Sequence, residues 1–292
     1  MLKGRLGLET ARVPHVDRDG LIWLSRGRVY VEAGCLQLET AGGGELCPGT
    51  YSIPFQTVSM VILGPGSSIT HDALRLLARH GTGLLAAGED GVRLYASMPF
   101  GPDSSELARM QASAWSNSQR RTSIARRLYA WRLGEVLPDA DLNVLRVIEG
   151  ARAKKMYEVV ANRFGIHWEG RLYDRKNPNA TNDANLAINH AASAVEGAAM
   201  IAVASTGTIP QLGFIHEAAG HSFTLDIADL YRDSVTLPVA FGALKDMQVN
   251  GHLGIERLVR IRAKEIFVRG KIISGMIEKI KELFGGDDCC GN

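Results

Sequence analysis

The sequence predicts an α+β protein, an N-terminal small β-sandwich domain followed by a larger all-α catalytic domain. Two observations carry this. Up to residue 96 the apolar runs are short and separated by turn clusters such as Asp19-Gly20, Gly42-Gly43-Gly44 and Gly64-Pro65-Gly66, which is how a series of short strands reads. After Met98-Pro99-Phe100-Gly101-Pro102 the hydrophobic period lengthens to that of helices. The chain has 292 residues, enough for two domains and a sizeable core. They divide as 1–96, 97–284 and a polar, glycine-rich tail, 285–292, expected to be disordered.

The expected strands, in order, are Leu21 to Leu24, Arg28 to Glu32, Cys35 to Glu39, Thr57 to Leu63, Gly83 to Ala86 and Val92 to Ala96. One helix interrupts them. Thr70 is placed to cap it, Asp72 lies in its first turn and Gly81 stops it. In the second part, Glu106 to Trp131 reads as one long helix. Asp141 to Phe164 reads as another, ended by Gly165. Asp183 to Ala204 is rich in alanine and permits close packing in an interior. Asp226 to Tyr231 opens a further helix, and Ile255 to Phe284 is a basic amphipathic stretch of one or two.

Composition excludes several classes. Apolar residues are 46% and charged residues 22%, ordinary for a globular protein. No apolar run reads as a membrane span and the N-terminus carries no signal-peptide core, so a soluble, cytoplasmic protein is expected. The four cysteines form no C-x-x-C pair, which argues against a zinc ribbon. A net charge of +2 says little, but its distribution says more. Residues 107–134 carry Arg109, Arg120, Arg121, Arg126, Arg127 and Arg132 with no acid. Such local density suits phosphate binding, although a single arginine run is more often a solvated helix face. No P-loop, dinucleotide fingerprint or nucleophile elbow is present.

The most informative stretch is Gly213 to Asp229. It places His216, Asp226 and Asp229 within fourteen residues. On a helix the two aspartates share a face. Carboxylates with one imidazole form a hard, mixed ligand set that suits Mg²⁺ or Mn²⁺. His216-Glu217 is not a zincin motif, because Gly220 stands where the second histidine is required and His221 comes one residue late. Glu149 is flanked by Ile148, Gly150 and Ala151 and so is expected to face inward, where it needs a partner. An ion pair with Arg146, Arg152, Lys154 or Lys155 is one role open to it; a third metal ligand is the other.

Five segments then fall in register with a known family: Ile148-Glu149-Gly150-Ala151-Arg152, Gly170-Arg171-Leu172-Tyr173-Asp174, Asn185 to Asn189, Gly213 to His216, and Asp226 to Asp229. Gly88 to Ala96, which contains Arg93, also fits. The chain resembles the CRISPR-associated integrase/endonuclease family, the catalytic subunit of the spacer-acquisition complex, in its type I-E branch. The resemblance spans nearly the whole chain. It implies that Glu149, His216 and Asp229 hold the metal with Asp226 in support. It further implies a homodimer built by the β domain and a small ferredoxin-like CRISPR-associated partner. The activity it implies is insertion of short duplex DNA into a repeat array. The alternating Val58, Met60 and Ile62 are the apolar face on which the dimer is expected. Arg93, Arg126, Arg127, Arg146 and Arg152 are the expected DNA contacts. Two positions depart from the family pattern: Glu196 stands where a tyrosine is expected and Ala219 where a basic residue is expected.

Overall fold

The computed structural model describes residues 21–42, 46–88, 93–97, 105–136, 141–171, 182–249 and 254–285. The Asp19-Gly20 turn, residues 89–92 and 172–174 of the family segments, the Met98-to-Pro102 boundary and the tail beyond Gly285 lie outside these. Among the described residues, eight strands form two four-stranded sheets. The strands are β1 (Leu21–Leu24), β2 (Gly27–Glu32), β3 (Cys35–Thr40), β4 (Gly49–Ile53), β5 (Met60–Leu63), β6 (Ser68–Ile69), β7 (Gly83–Ala87) and β8 (Leu94–Ser97). One sheet has the order β1-β5-β7-β8 and the other β4-β3-β2-β6. Helix α1 (His71–His80) crosses between the parallel strands β5 and β7. It begins and ends as its residues dictate: Thr70 accepts from the Ala73 amide, and Gly81 takes a left-handed φ of 66°. Leu24, Val29, Leu36, Leu38, Val61 and Leu77 share one core between the two sheets and α1.

Strands β4 and β6 went unseen in the sequence. β4 holds a glycine and a serine and exposes Gly49, Thr50 and Ser52, and β6 is two residues long, so neither shows an apolar run. The expected strand at Thr57 begins only at Met60, because Thr57 closes a turn on the Pro54 carbonyl.

The larger correction concerns the apolar face of β5. Met60 and Ile62 are 3% and 1% exposed and pack with Leu85 and Ala87 against Ile201 of the helical region. Val58 belongs to the inner core instead. The face assigned to a dimer is therefore covered from within the same chain. A central parallel strand buried on both sides reads as a continuous apolar run, here Met-Val-Ile-Leu.

The helical part comprises α2 (Glu106–Ser116), α3 (Ser118–Leu133), α4 (Leu142–Phe164), α5 (Asp183–Thr206), α6 (Ser222–Asp229), a single wide π-turn at Arg232–Thr236, α7 (Leu237–Val249), α8 (Ile255–Arg269) and α9 (Ile272–Gly285). The one long helix expected over Glu106 to Trp131 is two. Asn117 adopts extended backbone and its side chain accepts from the Gln119 and Arg120 amides, capping α3. Alanine-rich α5 is the axis. Ala187, Ala191, Ala194, Ala198, Ala199 and Ala202 are buried, and their small side chains let α6, α7, α8 and α9 close around it. By length and composition α5 would pass as a membrane span; its place at the centre of the helical core accounts for that composition.

Candidate active site

The site is built around the stretch between α5 and α6, which α2 holds in place. Gln111, wholly buried, donates from Nε2 to the Ile209 and Leu212 carbonyls at 2.9 and 3.0 Å and accepts from the Ile209 amide at 2.7 Å. Trp115 Nε1 donates to the Gly213 carbonyl at 3.1 Å. Gly213 is required by space: a Cβ there would lie 2.2 Å from the His216 carbonyl oxygen. Phe214 then enters the core against Phe223 and Phe284, with ring centroids 6.1 and 5.9 Å away. The chain is thus fixed just before His216.

Asp226, 1% exposed on α6, gathers this segment. Its Oδ2 accepts the Phe214 and Ile215 amides at 2.6 and 3.2 Å, and its Oδ1 accepts the His216 amide at 2.9 Å. The same Oδ1 takes a hydrogen bond from His216 Nδ1 at 2.8 Å. A carboxylate fully engaged as an acceptor makes Nδ1 the donor and leaves the Nε2 lone pair free, as a metal-ligating imidazole needs. The Asp226 bond also holds the His216 pKa above its ordinary value, against burial and Arg132 and with help from Asp229. Nε2 looks toward Asp229, whose Oδ2 is 3.6 Å away.

Glu149 arrives from α4, eighty positions from Asp229 in sequence. Neither group is left unneutralised. Arg132 of α3, its side chain 8% exposed, forks across both: Nη2 pairs with Glu149 Oε1 and Nη1 lies 3.2 Å from Asp229 Oδ2. Arg232, turned back by the π-turn, reaches Glu149 Oε1 at 3.0 Å and Asp229 Oδ1 at 2.5 Å. Burial works against the charge on Arg232, yet Asp229, Tyr157 and Glu149 carry its pKa above the ordinary guanidinium value. A cleft of about 280 Å³ opens here, lined by Glu149, Asp229, Arg132, Arg232 and Arg152 among others. Among the described residues no three His, Cys, Asp or Glu side chains stand close enough to hold an ion as they are, and guanidiniums bridge the two carboxylates. The donor set itself fits a hard divalent cation. Two carboxylates lie within the span of one guanidinium fork, and an oriented imidazole faces one of them.

Glu149 is therefore ion-paired, though not with the basic residues beside it in sequence. Its partners come from α3 and the π-turn and are invisible to local spacing. In the sequence Arg132 reads as part of an arginine run, and the only local signal for Arg232 is its place three positions after Asp229, within helical reach. Glu196 on α5 faces the same region. Its pKa is raised by burial, with His221 and His216 opposing and Asp229 reinforcing. Burial likewise raises Asp233.

The expected DNA contacts divide. Arg127 donates to the Glu282 and Leu283 carbonyls at 3.3 and 2.9 Å and so caps the end of α9. Arg152 pairs with Glu135 and donates to the Leu133 carbonyl at 3.1 Å. Arg146 and Arg93 are exposed and Arg126 is half-buried. Two of the recurring segments meet: Arg171 donates to Asn185 and Asn189 at 2.9 and 2.6 Å.

The profile of the family described as CRISPR associated protein Cas1 matches residues 21–136 and 129–257. A CRISPR-associated endonuclease Cas1 from Thermus thermophilus is 35% identical over 271 residues, covering 92% of this chain and 81% of that protein. A second, from a Clostridium strain, is 34% identical over 238 residues, 81% and 78% of the two chains. A solved structure described as a TtCas1–DNA complex superposes with a TM-score of 0.82 at 32% identity, over 92% of this chain and 98% of the other.

Proposed function

The chain belongs to the Cas1 family of CRISPR-associated proteins, and from that premise we propose that it is a metal-dependent DNA endonuclease and integrase of CRISPR adaptation. It would join the 3′-hydroxyl of a short duplex to a repeat array by transesterification. Relatives named as endonucleases and a structural neighbour bound to DNA support this. The single observation that carries the chemistry is that one guanidinium, Arg132, joins Glu149 to Asp229 while the oriented imidazole of His216 faces the same Asp229 oxygen.

In this reading Glu149, His216 and Asp229 would hold Mg²⁺ or Mn²⁺. Such an ion, when bound, supplies Lewis acidity at a phosphate and lowers the pKa of an attacking hydroxyl. The protein's own part is positional. Asp226 fixes the His216 tautomer and ring. Gln111 and Trp115 fix the chain that carries it. Arg232 and Arg132 bring positive charge to the place where a phosphate would dock. Exchange of one phosphodiester for another needs no nucleotide, consistent with a chain without a P-loop. The homodimer and the small ferredoxin-like partner belong to the same proposal and rest on family membership.

Glu149→Ala, His216→Ala and Asp229→Ala should each abolish cleavage of duplex DNA and strand transfer into supercoiled plasmid in Mn²⁺, with circular dichroism unchanged. Two folded variants with near-normal activity would place the chemistry elsewhere. Nicking by wild type without joined products would reduce the activity to hydrolysis.

A further inference from the structure

We infer that the Arg132 guanidinium is an internal stand-in for the divalent ion, which must displace it to bind. This rests on the metal-binding reading above; the atom placement is what adds to it. Asp229 divides its oxygens. Oδ1 is taken by Arg232 at 2.5 Å, whereas Oδ2 faces His216 Nε2 at 3.6 Å and Arg132 Nη1 at 3.2 Å. The other nitrogen of the Arg132 fork pairs with Glu149 Oε1. Arg132 thus joins the two carboxylates on the side that faces the free imidazole lone pair, where an ion shared by all three groups would sit. Arg232 also meets Glu149, but on Asp229 it uses the other oxygen and leaves the imidazole side open. Arg232 is therefore the positioning residue and Arg132 the competitor.

The arrangement has a physical rationale. Two carboxylates brought this close repel unless a cation lies between them, so a metal-free site needs a resident charge. The Arg132 side chain is 8% exposed, which strengthens its attraction to both carboxylates over that of a solvated pair. The cost is affinity: an ion binds only the fraction of molecules in which the guanidinium has withdrawn. Arginine keeps its charge wherever it goes, so the displaced side chain remains a tethered cation beside the cleft.

The test is Mn²⁺ binding, measured by calorimetry on full-length wild type, Arg132→Gln and Arg152→Gln. Arg152 lines the same cleft but pairs with Glu135, so it controls for loss of a nearby charge. If the guanidinium holds the site about nine-tenths of the time, Arg132→Gln should tighten Mn²⁺ binding by about tenfold, and Arg152→Gln by no more than about twofold. Metal-free Arg132→Gln should melt lower than wild type and regain the difference in Mn²⁺. Binding by Arg132→Gln no tighter than by wild type, or no tighter than by Arg152→Gln, overturns the inference alone. Absence of Mn²⁺ binding in wild type and variant together overturns the metal reading and this inference with it. Should Arg132→Gln fail to fold, Arg132→Lys retains the charge without the fork and must still bind several-fold tighter; unchanged affinity there overturns the inference as well.

Discussion

Asp226 is buried and holds the segment that carries His216. It accepts three backbone amides and the His216 imidazole. Replacing it with alanine would strand those donors in the interior. By the cost of breaking a buried charge network, Asp226→Ala should lose about 3 kcal/mol in a denaturant titration. The milder Asp226→Asn tests the electrostatics. His216 has a folded pKa above 6.5, with the Asp226 bond as the largest cause. Protonated His216 therefore favours the fold. That contribution is full below about pH 6.5 and is lost as pH rises through the folded pKa. In Asp226→Asn the ring should titrate nearer its ordinary value when followed by NMR, and stability should gain less on acidification than in wild type. An unshifted titration would mean that the bond does not govern the ring. His216, Asp226 and Asp229 were legible as a group because a local spacing places them together. The partners of Glu149 were not, because Arg132 and Arg232 reach it across three separate elements.

At the scale of elements, the break at Asn117 matters more than its single hydrogen-bonded cap suggests. It lets α2 lie apart from α3, and α2 is what grips the chain ahead of His216. The apolar period runs across the break, so periodicity alone reads one helix. A capping asparagine inside a helical pattern was the available signal. Gln111→Leu preserves size and removes the grip, leaving the Ile209 amide and the Ile209 and Leu212 carbonyls without this partner. The expected cost is about 1–3 kcal/mol in melting experiments. DNA cleavage should fall at least as far as stability at a temperature where the variant is folded, since a displaced His216 no longer faces Asp229. Full activity in a destabilised variant would show that the segment holds its shape without α2.

At the scale of the whole molecule, the question is which cations meet DNA. Binding that relies on phosphate contacts falls with salt at a log–log slope of about −0.9 per phosphate. Arg146 is exposed one helical turn before Glu149, where the proposed activity would use it as a phosphate contact. Arg127, held by the carbonyls at the end of α9, is expected to add less to a track of such contacts. Arg146→Glu should therefore flatten the salt slope by about one in fluorescence anisotropy with a labelled duplex, with the melting temperature unchanged. Arg127→Glu should lower the melting temperature and leave the slope of the remaining folded protein unaltered. The reverse pattern would restore Arg127 to the track and remove Arg146 from it. The two halves of the chain also act as one body at this scale: the outer face of β5 is sealed by Ile201 of α5, so the apolar alternation on that strand reports packing within the chain and not a surface left for a second copy.

The sequence by itself determined the passage from strands to helices, the helix start at Thr70, the helix ends at Gly81 and Gly165, and the grouping of His216 with the two aspartates. These depend on contacts between residues near in sequence, where period, capping chemistry and spacing carry the information. Tertiary structure alone decided that α5 covers β5, that Arg127 closes α9, and that Arg132 and Arg232 neutralise Glu149 and Asp229. Each joins side chains from elements far apart in the chain, and a guanidinium reads alike in sequence whether it will meet solvent, a helix end or a buried carboxylate.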